Sequence, residues 1–166
     1  MSTPSADTVT KVSTDGATDF VQSFYSALQS NRGTIATFYS QMPSTILFNG
    51  NVVADGAAVQ DIFVNQLPPT RFEVQSFDCQ VINSHYPTPT ATGVKTPAQT
   101  TVKDMSLLVT VSGYVQFGES RDAPQRGFSE TFVLVPNPAA SSTGGGAKGK
   151  GKKEWLIQSQ NFRLVV

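Results

Sequence analysis

MSLLVTVSGYVQF, residues 105–117, decides the fold. Met105, Leu107, Val109, Val111, Val115 and Phe117 fall on one side of a two-residue repeat, and Leu108, Thr110, Ser112, Tyr114 and Gln116 on the other. That alternation is the pattern of a β-strand with one face in the core. Three more long strands follow from the same reasoning: Arg71 to Asn83, Phe128 to Val135 and Trp155 to Val166. Strict alternation along the last strand puts Trp155 and Ile157 on the side of Arg163. A β-bulge between them would return both large groups to the core.

The N-terminal half reads differently. Phe20, Val21, Phe24, Ala27 and Leu28 recur at helical spacing, with Asp15 or Thr18 as the cap and Gly33 as a left-handed stop. A second short helix is predicted from Thr34 to about Ser40, ended by Pro43. Thr45–Phe48 and Asn51–Val53 flank Asn49-Gly50, a two-residue hairpin turn in which both positions need positive φ. Asp55 caps a third helix that carries Val59, Ile62, Phe63 and Leu67 and ends at Pro68-Pro69. Helices segregated ahead of long antiparallel strands give an α+β domain. Three helices pack on one face of the sheet. They cannot cover both sides of strands this long, and the uncovered side is half apolar, which marks a protein interface.

Length and composition fit one domain. The chain has 166 residues and carries 12 basic and 12 acidic side chains, so no global field attracts nucleic acid or a membrane. One cysteine, Cys79, excludes an internal disulfide. It is expected as a small strand hydrophobe in a reducing compartment. Residues 1–15 are polar and are expected to be a disordered lead-in to a single domain spanning 16–166. They lack the apolar core of a signal peptide, and no apolar run approaches a membrane span. Two insertions interrupt the strands: residues 84–102, rich in proline and threonine, and residues 136–153, a flexible linker ending in Lys148, Lys150, Lys152 and Lys153. These four lysines are the candidate RNA contacts, weak and without sequence preference.

Catalytic chemistry has thin support in the sequence. The single histidine, His85, lies in the first insertion. Asp78 with Tyr25 and Tyr39 could supply a base and a phenol for an isomerase or dehydratase, but strand and core roles explain them better. Gly144 to Gly146 lacks the strand-to-helix turn of a phosphate loop. No metal set and no cofactor motif is present in the sequence.

The segments FVQSFY (20–25), LFNGN (47–51), LPPT (67–70), SFDCQ (76–80), residues 107–117, RGFSETFVL (126–134) and Trp155 with NFRL (161–164) together resemble nuclear transport factor 2-like domains. They resemble most the small-subunit branch of the heterodimeric messenger-RNA export receptor, in its fungal form. The resemblance implies a cone-like domain with three helices in the concave face of a bent antiparallel sheet. It implies a non-enzymatic subunit whose outer sheet face pairs with a large subunit. That large subunit carries RNA through the pore by way of phenylalanine-glycine nucleoporins. The expected location is nucleus, nuclear pore and cytoplasm. It further implies that Arg163 makes an ion pair across the heterodimer. Tyr114, Thr110, Ser112, Thr131 and Gln158 are expected to share that surface. The rivals are a homodimeric carrier of the small GTPase Ran, which would need an acidic rim not visible here, and a small-molecule enzyme of the same fold.

Overall fold

The computed structural model describes residues 5–41, 43, 45–82, 89–90, 93–94, 105–140 and 153–165. The first helix, α1, runs over Ala6–Ser30, and the Ser5 side chain caps it by accepting from the Thr8 N–H at 3.2 Å. The expected lead-in is therefore helical from residue 6. Its polar start is held by contacts that the sequence does not advertise. The Cys79 thiol lies 3.7 Å from the Ser13 carbonyl, and the Trp155 ring packs so closely on Gly16 that a Cβ there would sit 2.6 Å from the indole nitrogen.

The helix ends at Asn31, whose N–H reaches the Ala27 carbonyl, and Gly33 lies inside the next turn without a positive φ. That next element is a tighter 3-10 helix, Arg32–Phe38, burying Ile35 and Phe38. Strands β1 (Thr45–Phe48) and β2 (Asn51–Val53) form the expected hairpin, with φ of 49° at Asn49 and 86° at Gly50. Helix α2 (Gly56–Asp61) starts at the Asp55 cap and widens into a π-turn, Ile62–Gln66. The Arg32 guanidinium closes that turn, donating to the carbonyls of Phe63 at 2.5 Å and Pro68 at 3.1 Å. Charged donors on orphan helix carbonyls contribute well. Arg32→Ala is expected to cost about 2 kcal/mol, read as a lowered denaturation midpoint.

The remaining strands are β3 (Thr70–Val81), β4 (Pro89–Thr90), β5 (Gly93–Val94), β6 (Leu107–Phe117), β7 (Gln125–Pro136) and β8 (Trp155–Leu164). β4 and β5 pair with each other as a small hairpin inside the first insertion. The main sheet has the order β2-β1-β8-β7-β6-β3. All neighbours are antiparallel except β1 and β8, which run parallel, so the sheet is mixed rather than purely antiparallel.

Two bulges shape it. One falls in β3 between Val74 and Ser76, the other opposite Val133 and Leu134 in β8. The β8 bulge places Ile157 in the core together with Phe162, while Arg163 faces out. The β3 bulge turns Phe77, Cys79 and Val81 to the inner side opposite Val111, Val109 and Leu107, where Cys79 and Val81 are half-buried against the core and Phe77 stays exposed.

The core lies between this inner face and the helices. Phe20 and Phe24 of α1 meet Phe132 of β7 edge-to-face at 5.0 and 5.4 Å, and Phe24 meets Phe38 at 5.3 Å. A second group, Phe48, Phe72, Phe128 and Phe162, fills the other end. Aromatic packing of this kind adds to the area term.

Candidate partner interface

The outward face of the sheet is assembled by register. One row reads Asp78, Thr110, Thr131, Asn161 and Leu47 across β3, β6, β7, β8 and β1. The next reads Ser76, Ser112, Ser129 and Arg163. Leu108 and Val133 pair on one side of these rows. Tyr114 lies on the other, 46% exposed. Five of the six side chains expected on this surface are therefore there: Arg163, Tyr114, Thr110, Ser112 and Thr131.

Gln158 is the exception. It sits in the β8 bulge, is buried, and accepts from the Ser40 hydroxyl at 3.0 Å. Gln158 is the residue inserted at the bulge, and its side chain turns to Ser40 instead of joining the rows. Asn161 and Ser129 complete the rows and were not anticipated. Only cross-strand register, which a single strand does not carry, brings them beside Arg163 and Thr131.

Arg163 is exposed, and among the described residues it has no carboxylate within ion-pair distance. The carboxylates of the same face, Glu73 and Asp78, lie on β3, three strands away or about 14 Å. The face thus carries Arg163 at one side, Glu73 and Asp78 together with Arg71 on β3 at the other, and short hydroxyls with a small apolar patch between. The hairpin turn fixes the strand end that bears Arg163. The Asn49 N–H donates to the Phe162 carbonyl at 2.8 Å, and the Asn49 side chain accepts from the Leu164 N–H at 3.3 Å.

A second polar group lies on the inner face. Glu130 of β7 is only 2% exposed. Its carboxylate accepts from the Tyr25 hydroxyl and from the Gln160 amide, both at 2.6 Å, and Gln160 in turn accepts from the Tyr39 hydroxyl. Burial pushes the Glu130 carboxyl up to about 7, against two hydrogen bonds that pull it down. Tyr25 and Tyr39 are held well above the usual phenol range, first by burial and then by the Glu130 charge. Tyr25 does meet a carboxylate, then, but it is Glu130, and Tyr39 reaches that carboxylate only through Gln160. Asp78, considered as a base, faces out from the other side of the sheet and is exposed.

Lys153 also departs from expectation. Its ammonium lies 3.7 Å from the centre of the Phe38 ring instead of extending freely. Asn137 ties the neck of this insertion, donating its side-chain amide to the Lys153 carbonyl at 2.7 Å and its backbone N–H to the Glu154 carbonyl at 2.8 Å. Lys148, Lys150 and Lys152 lie outside the described residues, as does His85. Among the described residues no cluster of three metal-binding side chains occurs, and no helix is long and apolar enough to cross a membrane.

A model of the nuclear transport factor 2 (NTF2) domain matches residues 16–143. The chain belongs to the nuclear transport factor 2 domain family. Within the family it is similar to NTF2-related export protein 1 of Bos taurus, 29% identical over 148 residues, 89% of this chain and 85% of the relative. NTF2-related export protein 1 of Schizosaccharomyces pombe is 33% identical over 101 residues, 61% of this chain and 70% of the relative. Among solved structures, one of the Chaetomium thermophilum Mex67 NTF2-like domain complexed with Mtr2 matches with 26% identity and a TM-score of 0.70, covering 93% of this chain and 99% of the other. The two sequence relatives are export proteins by name.

Proposed function

We propose that this chain is the non-catalytic small subunit of a heterodimeric messenger-RNA export receptor. It pairs through its outward sheet face with a larger subunit that bears a domain of the same family. The observation that carries this reading is the Arg163 guanidinium, exposed and without a carboxylate partner among the described residues, on rows of short side chains that leave the sheet flat enough for another sheet. The export names of the relatives and the Mex67–Mtr2 pairing of a structural neighbour support it. In this reading the larger subunit contacts phenylalanine-glycine nucleoporins, and the pair shuttles between nucleus, pore and cytoplasm with RNA cargo. Among the described residues, the carboxylate and phenol that an enzyme reading would use, Glu130 and Tyr25, are sealed in the core.

The experiment is co-expression with the larger subunit from the same source, followed by affinity capture and measurement of complex mass. Wild-type chain is expected in a one-to-one complex. Arg163→Asp should weaken capture about tenfold or more, because it leaves the partner's carboxylate unpaired and adds a like charge. Arg126→Asp, at an exposed strand end away from these rows, should leave capture unchanged. A stable homodimer of the chain alone, with no gain from co-expression, would overturn the proposal in favour of a carrier of Ran.

A further inference from the structure

A cleft of about 390 Å³ opens beside α1, away from the outward sheet face. Its floor is aromatic: Phe20, Phe38 and Trp155 line it, the first two edge-to-face at 6.4 Å. Asp19 and Glu154 line it as well, and Lys153 occupies it with its ammonium over Phe38. No carboxylate among the described residues comes within ion-pair distance of that ammonium. Partial burial also pulls the Lys153 amine below the usual lysine range. Among the described residues the ammonium is therefore met by the ring face without an ion pair and is poorly compensated there.

We propose that this cleft binds a basic side chain presented by a partner protein, and that Lys153 is its internal stand-in. Charge decides the chemistry of the occupant. With Lys153 in place the ionisable lining carries two carboxylates and one ammonium. With Lys153 swung out, two carboxylates remain over three aromatic rings. Such a surface attracts a lysine or arginine head through both ring quadrupole and charge. It repels a phosphate, which argues against nucleic acid at this place even though Lys153 belongs to the basic segment.

Trp155 is the only tryptophan of the chain, so its emission reports on the cleft directly. The test titrates the full-length chain with an acetylated, amidated Gly-Ser-Lys-Ser-Gly peptide and with the same peptide bearing norleucine for lysine. The lysine peptide is expected to change the Trp155 emission saturably and the norleucine peptide not to. Lys153→Ala should bind the lysine peptide about threefold tighter, the ratio that loss of a partly exposed cation–π competitor gives. Asp19→Asn combined with Glu154→Gln should weaken binding while leaving the thermal midpoint in place. Equal responses to lysine and norleucine peptides would overturn the proposal. So would an absence of saturable binding in Lys153→Ala, or preferential binding of adenosine monophosphate. Because the cleft is remote from Arg163, failure here leaves the subunit reading standing.

Discussion

Replacing Gly113 by alanine is expected to lower the stability of the chain by about 3 kcal/mol. Gly113 sits in β6 opposite the β3 bulge, paired with Val74 on one side and Phe128 on the other. A Cβ there would lie 2.0 Å from the Glu73 carbonyl oxygen and 3.0 Å from the Gln75 nitrogen. Both are backbone atoms and cannot rotate away. Relief would require β3 to surrender the bulge. Slipping the register by one residue would turn Ser76 and Asp78 inward and Phe77, Cys79 and Val81 outward, stripping the half-buried Cys79 and Val81 from the core edge. The check is chemical denaturation followed by circular dichroism. Gly33→Ala serves as the control, since nothing lies within 4 Å of a Cβ there and φ is not positive. A loss below about 1 kcal/mol at Gly113 would show that the bulge is not what fixes the strand. Gly113 lies between Ser112 and Tyr114, so capture of the larger subunit should fall along with stability.

The position of Gly113 illustrates what the sequence could and could not disclose. Alternation along β6 was visible because it is a local, period-two signal, and it correctly assigned Leu107, Val109 and Val111 to the core and Thr110, Ser112 and Tyr114 to the outside. Asn49-Gly50 was visible because few other dipeptides accept two positive φ values. The parallel pairing of β1 with β8 was not, since it joins Leu47 to Asn161 across more than a hundred residues with no local mark. The early start of α1 was hidden for a related reason. Residues 6–13 show no apolar stripe, and the contacts at the end of this stretch and just after it, Cys79 at Ser13 and Trp155 at Gly16, are both distant in sequence. Gln158 was misplaced because a bulge is settled by packing of Ile157, not by propensity. Glu130 was half-visible: it falls on the same strand parity as Phe128, Phe132 and Leu134, which flags an inward carboxylate. Its partners Tyr25 and Gln160, at sequence separations of 105 and 30, could not be read from that parity.

That carboxylate gives the other large effect. Its value of about 7 in the folded chain stands above its ordinary 4.5, so the folded state holds the proton more tightly than the unfolded chain does. Protonated Glu130 therefore contributes stability that is fully present below about pH 4.5. This contribution is lost progressively as pH rises to about 7, and it amounts to about 3 kcal/mol over that window. Asp61, lowered by its hydrogen bonds from Asn65 and Gln66, acts in the opposite sense at more acid pH, so the wild-type curve alone is not diagnostic.

The difference between wild type and Glu130→Gln isolates the buried group. Unfolding free energies of the two proteins, measured from pH 4.5 to 8, should diverge with wild type losing ground steadily to the variant. The variant's own curve should lack this slope, whatever constant cost the amide adds by leaving one donor poorly matched at Gln160. Parallel curves would mean that Glu130 is ionised throughout and that Tyr25 and Gln160 compensate its burial in full.

The outcome also bears on the interface. Ser129 and Thr131 flank Glu130 in β7, and Asn161 flanks Gln160 in β8, all directed to the opposite face. The network of Tyr25, Glu130, Gln160 and Tyr39 thus clamps to the helices the two strands whose outer sides carry the proposed contact rows. If ionisation of Glu130 loosens that clamp, capture of the larger subunit should weaken between pH 6 and 8 in wild type and hold constant in Glu130→Gln, even though neither residue touches the partner.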